Sequence, residues 1–170
     1  GIATFDSPTE EVYLRVAQIN NELYIDLCNA DWQVLKATKS GWSVINKSPV
    51  SFIRSKNMRA LKIPKTKGDI NLLKKHINIK EKDFVLVVGW LLMSMQAGTG
   101  AYPMLVLTGS AGCGKTTISR MLRELVDPNE ATLLSKPKTG DLRVVGANNH
   151  VLAFDNLSGI GANQSDALCK

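Results

Sequence analysis

The feature that most constrains this chain is a glycine-rich octet that follows a short apolar run. The octet reads Gly-Ser-Ala-Gly-Cys-Gly-Lys-Thr over residues 109–116 and fits the pattern G-x-x-x-x-G-K-[ST] at every fixed position. Glycine lets the backbone curl tightly with no Cβ in the way, so that its N–H groups can surround a phosphate group. The pattern therefore predicts a phosphate-binding loop.

The segments on either side of the octet are those that such a loop requires. Residues 104–107 are apolar and predict a buried parallel strand, while residues 116–126 carry apolar side chains at the spacing of one helix face. A helix that starts near Lys115 points its partial positive charge at the phosphate. The alternative is a glycine-rich turn that matches the pattern by chance, and such a turn needs neither flanking element.

Each residue of the octet suits a separate part of a nucleotide bound with Mg²⁺. Lys115 is expected to bridge the β- and γ-phosphates, and the Thr116 hydroxyl is expected to ligate Mg²⁺, with Thr117 as the next hydroxyl along the chain. The other predicted binding positions are those that surround the phosphate: Gly109, Ser110, Ala111, Gly112, Cys113 and Gly114. The sequence thus predicts a nucleotide site with a magnesium ion.

A second apolar run supplies a carboxylate for the same site. Residues 151–155 read Val-Leu-Ala-Phe-Asp and predict a buried strand that ends in Asp155. A ligand bound to a parallel sheet lies at the carboxyl ends of the strands. The strand over 151–155 and the strand over 104–107 would therefore both end at the edge of the sheet where the ligand binds. Asp155 is the candidate for holding Mg²⁺ opposite Thr116, and a turn or helix-capping Asp is the alternative.

Asn156 stands where many ATPases carry a second acid that orients the attacking water. An amide can position water or hydrogen-bond a γ-phosphate, but it cannot accept a proton as a general base does. The candidate catalytic residues are therefore Lys115, Asp155 and Asn156, and hydrolysis follows less directly from the sequence than binding does.

The chain before the octet predicts a separate small module. Ser7, Pro8 and Glu10 form a helix-start pattern, from which we expect an N-terminal helix that runs to residue 19. Short β-branched and aromatic runs separated by turn residues then predict a four-stranded meander, with strands over 23–27, 32–37, 41–45 and 50–54.

The predicted fold class is α/β: a P-loop NTPase core with a parallel sheet and flanking helices, preceded by the small β-rich module. We expect the module with its basic linker to occupy residues 1–67 and the core to occupy residues 68–170. No sensor strand or arginine finger follows Asp155, so we expect the core to be truncated at its C-terminus. The remaining predicted elements are helices over 70–77, 81–96 and 141–147 and a strand over 131–134.

The positive charge of the chain is concentrated in one stretch. The net charge is +6, yet residues 36–82 hold thirteen Lys or Arg and two acids, a local net charge of +11. Within that stretch, residues 54–68 contain six cations and no acid together with Pro64 and Gly68, which indicates a linker or an exposed loop. Such a segment is either a solvated connector or a contact for nucleic-acid phosphates.

Composition excludes several other classes of protein. The three cysteines are widely spaced and odd in number, so neither a disulfide framework nor a zinc site is indicated. The longest apolar stretch, residues 84–97, is shorter than the roughly twenty residues that a membrane span needs. There is no signal-peptide pattern at the N-terminus, and we expect a cytoplasmic protein that makes no membrane contact.

The region from Tyr102 to Ser158 resembles the ATPase core of bacteriophage and mobile-element ATP-binding proteins, which are grouped with AAA+ and superfamily 3 helicases and are often attached to primase domains. The octet and the strand that ends in Asp155 are its specific motifs, and residues 22–54 resemble the preceding β-rich region more loosely. The resemblance implies a ring-forming homo-oligomeric motor that uses ATP and Mg²⁺ on single-stranded or double-stranded DNA, in a bacterial or phage-infected cell. Asn156 departs from the acidic pair of that family.

Two other functions are compatible with the same loop. A P-loop kinase acting on a small molecule or a polynucleotide end needs an acceptor pocket and lid arginines, and the arginines that follow the loop are Arg120, Arg123 and Arg143. A nucleotide-gated binding or assembly module would hold ATP without turning it over.

Overall fold

The computed structural model describes residues 10–97, 102–135, 142–155 and 157, which contain short strands followed by helices. The strands are β1 (Val12–Tyr13), β2 (Val16–Ile19), β3 (Glu22–Asp26), β4 (Val34–Thr38), β5 (Gly41–Ile45) and β6 (Ser51–Phe52). A 3₁₀ helix (Ile70–Lys75) precedes three α-helices, which are α1 (Glu81–Ser94), α2 (Lys115–Val126) and α3 (Leu142–Gly146). None of the described helices combines the length and apolar character that crossing a bilayer requires.

The antiparallel sheet of β2, β3, β4 and β5 pairs each strand with its neighbour in sequence. Asn20 and Asn21 form the β2–β3 turn, and their φ angles of 53° and 62° are the left-handed values of a tight hairpin. β1 and β6 pair in parallel beside this sheet. Together they enclose a small core of Ala17, Tyr24, Val34 and Val50, against which Tyr13, Ile45 and Phe52 pack.

The predicted N-terminal helix is wrong over the residues that the structure describes, because β1 and β2 occupy positions 12–13 and 16–19. Ser7 and Pro8, which carried the helix-start pattern, lie outside the described residues. The β-branched and aromatic side chains of this segment suit a strand, and Asn20–Asn21 is a hairpin turn instead of a helix end. Three of the predicted meander strands coincide with β3, β4 and β5, whereas 50–54 yields β6, which pairs with β1.

The second core lies between α1 and α2. Phe84, Val87 and Leu91 of α1 pack with Ile118, Leu122 and Val126 of α2, and Ile77 and Val151 complete the cluster. Both helices, like α3, lie where the sequence predicted helices. Asp69 caps the 3₁₀ helix, since its carboxylate accepts the N–H of Asn71 at 2.9 Å.

The predicted fold class is wrong, because the described residues form no parallel sheet with flanking helices. Residues 104–107 form no strand, and residues 131–134 and 151–155 share a single isolated parallel bridge between Leu134 and Phe154. In the described part of the chain no backbone hydrogen bond joins 104–107 to 151–155. An apolar run indicates burial but does not choose a pairing partner, and the sheet of this structure is the antiparallel one formed by β2–β5.

A buried ion pair connects the β-rich module to the helical part. Arg15 and Asp127 are both fully buried, and Arg15 Nε donates to Asp127 Oδ1 at 3.0 Å. The remaining guanidinium N–H groups donate to three carbonyl oxygens, those of Asp26, Arg59 and Pro128. One arginine therefore links β3, the end of α2 and the segment after β6.

The same aspartate also holds the segment that leads to Asp155. Asp127 Oδ2 accepts the backbone N–H groups of His150 and Val151, each at 3.0 Å. The His150 ring is itself mostly buried, and its Nε2 donates to the Ser94 carbonyl at the end of α1, at 2.6 Å. Burial lowers the pKa of His150, while the Ser94 carbonyl and Asp127 act in the opposite direction and Arg15 adds to the lowering.

Replacement of Arg15 by Met is expected to destabilise the protein by about 3–5 kcal/mol, because Asp127 would stay buried without its charged partner. Urea denaturation followed by circular dichroism measures this change. Lys74→Met is the matched control, since it breaks the exposed ion pair between Lys74 and Glu81, and exposed pairs contribute little to stability. Equal losses in the two variants would contradict the assigned role of Arg15.

The stability of the fold is expected to fall as the pH drops below the ordinary histidine pKa of 6.5, because burial lowers the pKa of His150 in the folded state. The unfolded chain then binds more protons than the folded chain, which lowers the free energy of unfolding by at most about 1.4 kcal/mol per pH unit. His150→Gln should flatten the profile just below the ordinary histidine pKa. His76→Gln, at an exposed position, should leave it unchanged, and identical profiles for the two variants would contradict the prediction.

Candidate functional site

The glycine-rich octet forms a tight loop that ends in α2. Gly109, Gly112 and Gly114 have φ angles of 156°, 75° and 91°, a region that favours glycine. A Cβ on Gly109 would also lie 2.8 Å from the Cys113 sulfur, which is too close for any real contact. The glycines are therefore needed for the curvature of the loop.

Lys115, the first residue of α2, folds back over this loop. Its Nζ donates to the carbonyl oxygens of Gly109 at 2.9 Å and Ser110 at 2.7 Å, and it lies 3.6 Å from the Cys113 sulfur. The side chain is half-buried. The loop thus holds an ammonium group at its open side, where an anion can share it.

The N-terminus of α2 has no side-chain cap and no acidic residue in its first turn. Gly114 occupies the capping position and has no side chain to bond the first N–H groups. The partial positive charge of a twelve-residue helix is therefore not offset by any side chain of its own first turn. Together with the charge of Lys115, this end of the helix attracts an anion.

The structure brings Thr116 and Asp155 together, although 39 positions separate them in the sequence. The Thr116 hydroxyl lies 3.2 Å from Asp155 Oδ1 and 3.3 Å from Oδ2. Thr117 is exposed on the next position of α2. Asn156, the third candidate catalytic residue, lies outside the described residues.

The donor set at Thr116 and Asp155 suits Mg²⁺ that is shared with a ligand. Among the described residues no three or more His, Cys, Asp or Glu side chains converge on a metal position. Mg²⁺ is usually bound by one or two protein oxygens and completes its shell with water and substrate phosphates. One hydroxyl and one carboxylate beside the glycine-rich loop meet that description.

A cavity of about 600 Å³ opens beside these groups. Residues 103–108 and residues 151–155 line it, together with Ser94, Lys115, Arg123 and His150. The two apolar runs that were predicted to be strands thus both border this cavity. No sequence pattern indicated this cavity.

Arg123, one of the arginines that follow the loop in the sequence, is a buried residue of this region. It is 1% exposed, and its guanidinium donates to the carbonyls of Ala131 and Thr132 and to the Asn149 side chain. Its Nε has no partner among the described atoms, and burial lowers its pKa. Arg120 and Arg143 are exposed. The arginine count after the loop therefore overstated what is free to contact a ligand.

Comparison with known families places this geometry in context. Residues 70–170, more than half of the chain, match the model of a family described as actinomycete integrative conjugative element replication protein. The matched region includes α1, the glycine-rich loop, α2 and Asp155. The search of curated proteins and the search of solved structures gave no match.

The family match confirms the predicted kinship with mobile-element replication proteins, while the narrower relation to AAA+ and superfamily 3 helicases stays a prediction. The chain belongs to the actinomycete integrative conjugative element replication protein family.

Proposed function

We propose that this chain binds ATP with Mg²⁺ and that ATP turnover drives its action on DNA during replication of the mobile element. The observation that supports this most directly is the contact between Thr116 and Asp155 beside a loop whose curvature depends on glycine. Two distant segments meet where a triphosphate with its metal would need an anion-binding loop and oxygen ligands.

The loop and α2 supply the phosphate-binding groups. Lys115 now donates to two carbonyl oxygens, and a bound phosphate would replace those neutral acceptors with charged ones, which bind an ammonium group more strongly. The N–H groups at the start of α2 add to this attraction.

Thr116 and Asp155 are the proposed magnesium ligands. The Thr116 hydroxyl already lies within hydrogen-bond distance of the Asp155 carboxylate. A magnesium ion bound by both residues would replace this weak contact with two ligand bonds. Bound Mg²⁺ would neutralise charge that develops on the phosphates during transfer to water. Asn156 is proposed to orient that water, in keeping with the capacity of an amide to hydrogen-bond without accepting a proton.

Membership in a replication protein family supports DNA as the partner. We include in the proposal that copies of the full-length protein assemble into a ring on DNA in the host cytoplasm. A kinase is less well supported, because Arg123 is committed to carbonyl and amide partners inside the protein and does not extend from α2 toward a substrate.

Lys115→Ala is expected to weaken ATP binding at least about tenfold, because a charge-assisted hydrogen bond contributes about 1.5–3 kcal/mol. Isothermal calorimetry with ATP and Mg²⁺ measures the affinity. Lys82→Ala, an exposed position on α1, makes the same charge change away from the loop and should bind ATP as the wild type does. Unchanged affinity in Lys115→Ala would refute nucleotide binding at this loop.

Asp155→Asn is expected to lower ATP turnover by about a hundredfold or more, because the loss of a metal ligand removes several kcal/mol of transition-state stabilisation. A phosphate-release assay with and without single-stranded DNA measures this rate, and DNA should raise it in the wild type. Asp31→Asn, at an exposed site in the β-rich module, is the control. Turnover that is indifferent to DNA would exclude a motor, and tight ATP binding with no phosphate release would identify a nucleotide-gated module.

A further inference from the structure

A surface of the β-rich module carries positive charge that the protein does not neutralise. Residues 36–67 contain nine Lys or Arg and no acid. Lys36 pairs with Glu22 and Arg54 pairs with Asp26. The other cations are exposed and form no ion pair within the described part of the chain: Lys39, Lys47, Lys56, Arg59, Lys62, Lys65 and Lys67. These charges are available to an external anion.

The backbone that carries several of these cations is fixed. In residues 54–67, which we call the basic strap, the Arg59 N–H donates to Pro128 and the Asn57 carbonyl accepts from Glu130, both at 2.9 Å. Leu61 N–H donates to Leu27 at 2.9 Å. The strap is therefore anchored to both parts of the protein, although its composition alone indicated a linker or an exposed loop. A fixed backbone lowers the entropic cost of binding an extended ligand.

An aromatic ring lies beside the start of the basic strap. Trp32 is 56% exposed and has a φ angle of 55°, which is unusual for a bulky residue. The Arg54 guanidinium lies over its ring, 3.7 Å from the centroid. Arg54 is in turn held by two hydrogen bonds to the buried carboxylate of Asp26 and one to the Asn29 carbonyl. One face of the indole is covered by a fixed cation, and Trp32 as a whole is still more than half exposed.

Two exposed lysines lie on segments that are joined to this ring. Gln33, the neighbour of Trp32, donates to the Asn46 side chain at 3.0 Å and so joins the Trp32 loop to the turn that carries Lys47. Lys56 follows Arg54, whose guanidinium lies over the ring, by two positions on the basic strap. We call Trp32, Lys47, Arg54 and Lys56 the Trp32 surface.

We propose that the Trp32 surface binds single-stranded DNA, with a base stacked on Trp32 and the adjacent phosphates bound by Lys47 and Lys56. Positively charged grooves combined with exposed aromatic rings are the means by which proteins bind single strands without sequence choice. A duplex is also negatively charged but keeps its base faces stacked, so it would leave the exposed ring without a partner. An anionic lipid surface is the other ligand that the test below compares. The proposal does not depend on nucleotide binding at Lys115.

The test is fluorescence anisotropy of the full chain with labelled oligothymidylate of about 20 nucleotides, long enough for one site, without ATP. Trp32→Ala is expected to weaken binding about tenfold, as loss of one stacked base does, and Trp32→Phe should keep most of the affinity. Trp42→Ala removes a second exposed tryptophan and should bind as the wild type does. Equal effects of Trp32→Ala and Trp42→Ala, or no effect of either, would overturn the proposal.

The charge contribution is tested separately. Reversal of both lysines of the Trp32 surface, Lys47→Glu with Lys56→Glu, should weaken binding and reduce the slope of log affinity against log salt by about 1.4, since each single-strand phosphate contact contributes about 0.7. Lys75→Glu with Lys82→Glu makes the same charge change at exposed positions outside the Trp32 surface and should have a smaller effect. Equal losses in the two double variants would overturn the assignment of these phosphates to Lys47 and Lys56.

Two further comparisons distinguish single-stranded DNA from other ligands of this surface, and this surface from the proposed nucleotide site. Tighter binding of a hairpin duplex or of phosphatidylserine vesicles than of the single strand would overturn the choice of ligand. Lys115→Ala should bind the oligonucleotide as the wild type does, and Trp32→Ala should bind ATP as the wild type does. A failure of ATP binding therefore refutes the proposed function alone, and a failure at Trp32 refutes this surface alone.

Discussion

The ion pair between Arg15 and Asp127 sets the arrangement of everything around it. A buried pair of charges is costly to desolvate and is tolerated only when its remaining hydrogen-bonding capacity is filled. Here the Arg15 guanidinium also donates hydrogen bonds to three carbonyl oxygens, and the Asp127 carboxylate also accepts hydrogen bonds from two backbone N–H groups. The two N–H groups belong to His150 and Val151, the start of the segment that ends in Asp155. Asp127 thus fixes one end of that segment and Thr116 contacts the other, so α2 positions the carboxylate even though the described residues supply no parallel sheet to do so.

Local chemistry explains which parts of the fold could be predicted from the sequence. α2 was predictable because its apolar residues recur at the spacing of one helix face, and α1 because a long apolar run too short to cross a bilayer indicates a buried helix. The contact of Thr116 with Asp155 followed from two motifs in a known order. The N-terminal helix was not correctly predicted, since Ser7 and Pro8 suggested a helix while Asn20 and Asn21 form a hairpin turn. The parallel sheet was wrong for a different reason: pairing depends on which segments hydrogen-bond to one another, and in the described part of the chain no backbone hydrogen bond joins residues 104–107 to residues 151–155.

A count of Lys and Arg in the sequence does not predict which of them can contact an external anion, because the count treats all cations as equivalent. Arg15 and Arg123 are buried and bind carbonyl oxygens, and Arg54 binds the buried carboxylate of Asp26. These arginines stabilise the fold and are not available to phosphates. The lysines of the basic strap are exposed and unpaired in the described structure. The division follows chemistry, since a planar guanidinium with several donors can satisfy scattered carbonyls inside a protein, whereas a strongly hydrated ammonium favours the surface.

The glycine-rich loop and the basic strap meet opposite ends of α2. The loop opens onto its first residue, while the Arg59 N–H of the strap donates to Pro128, just beyond its last residue. A helix of twelve residues is about 18 Å long, whereas phosphoryl transfer needs its reacting atoms within about 3–3.5 Å. A DNA phosphate bound beside Pro128 would thus be too far from the loop to take part in such a transfer. Under the proposed function, ATP at the loop would therefore influence DNA at this part of the strap through α2 and the junction of Arg15 with Asp127.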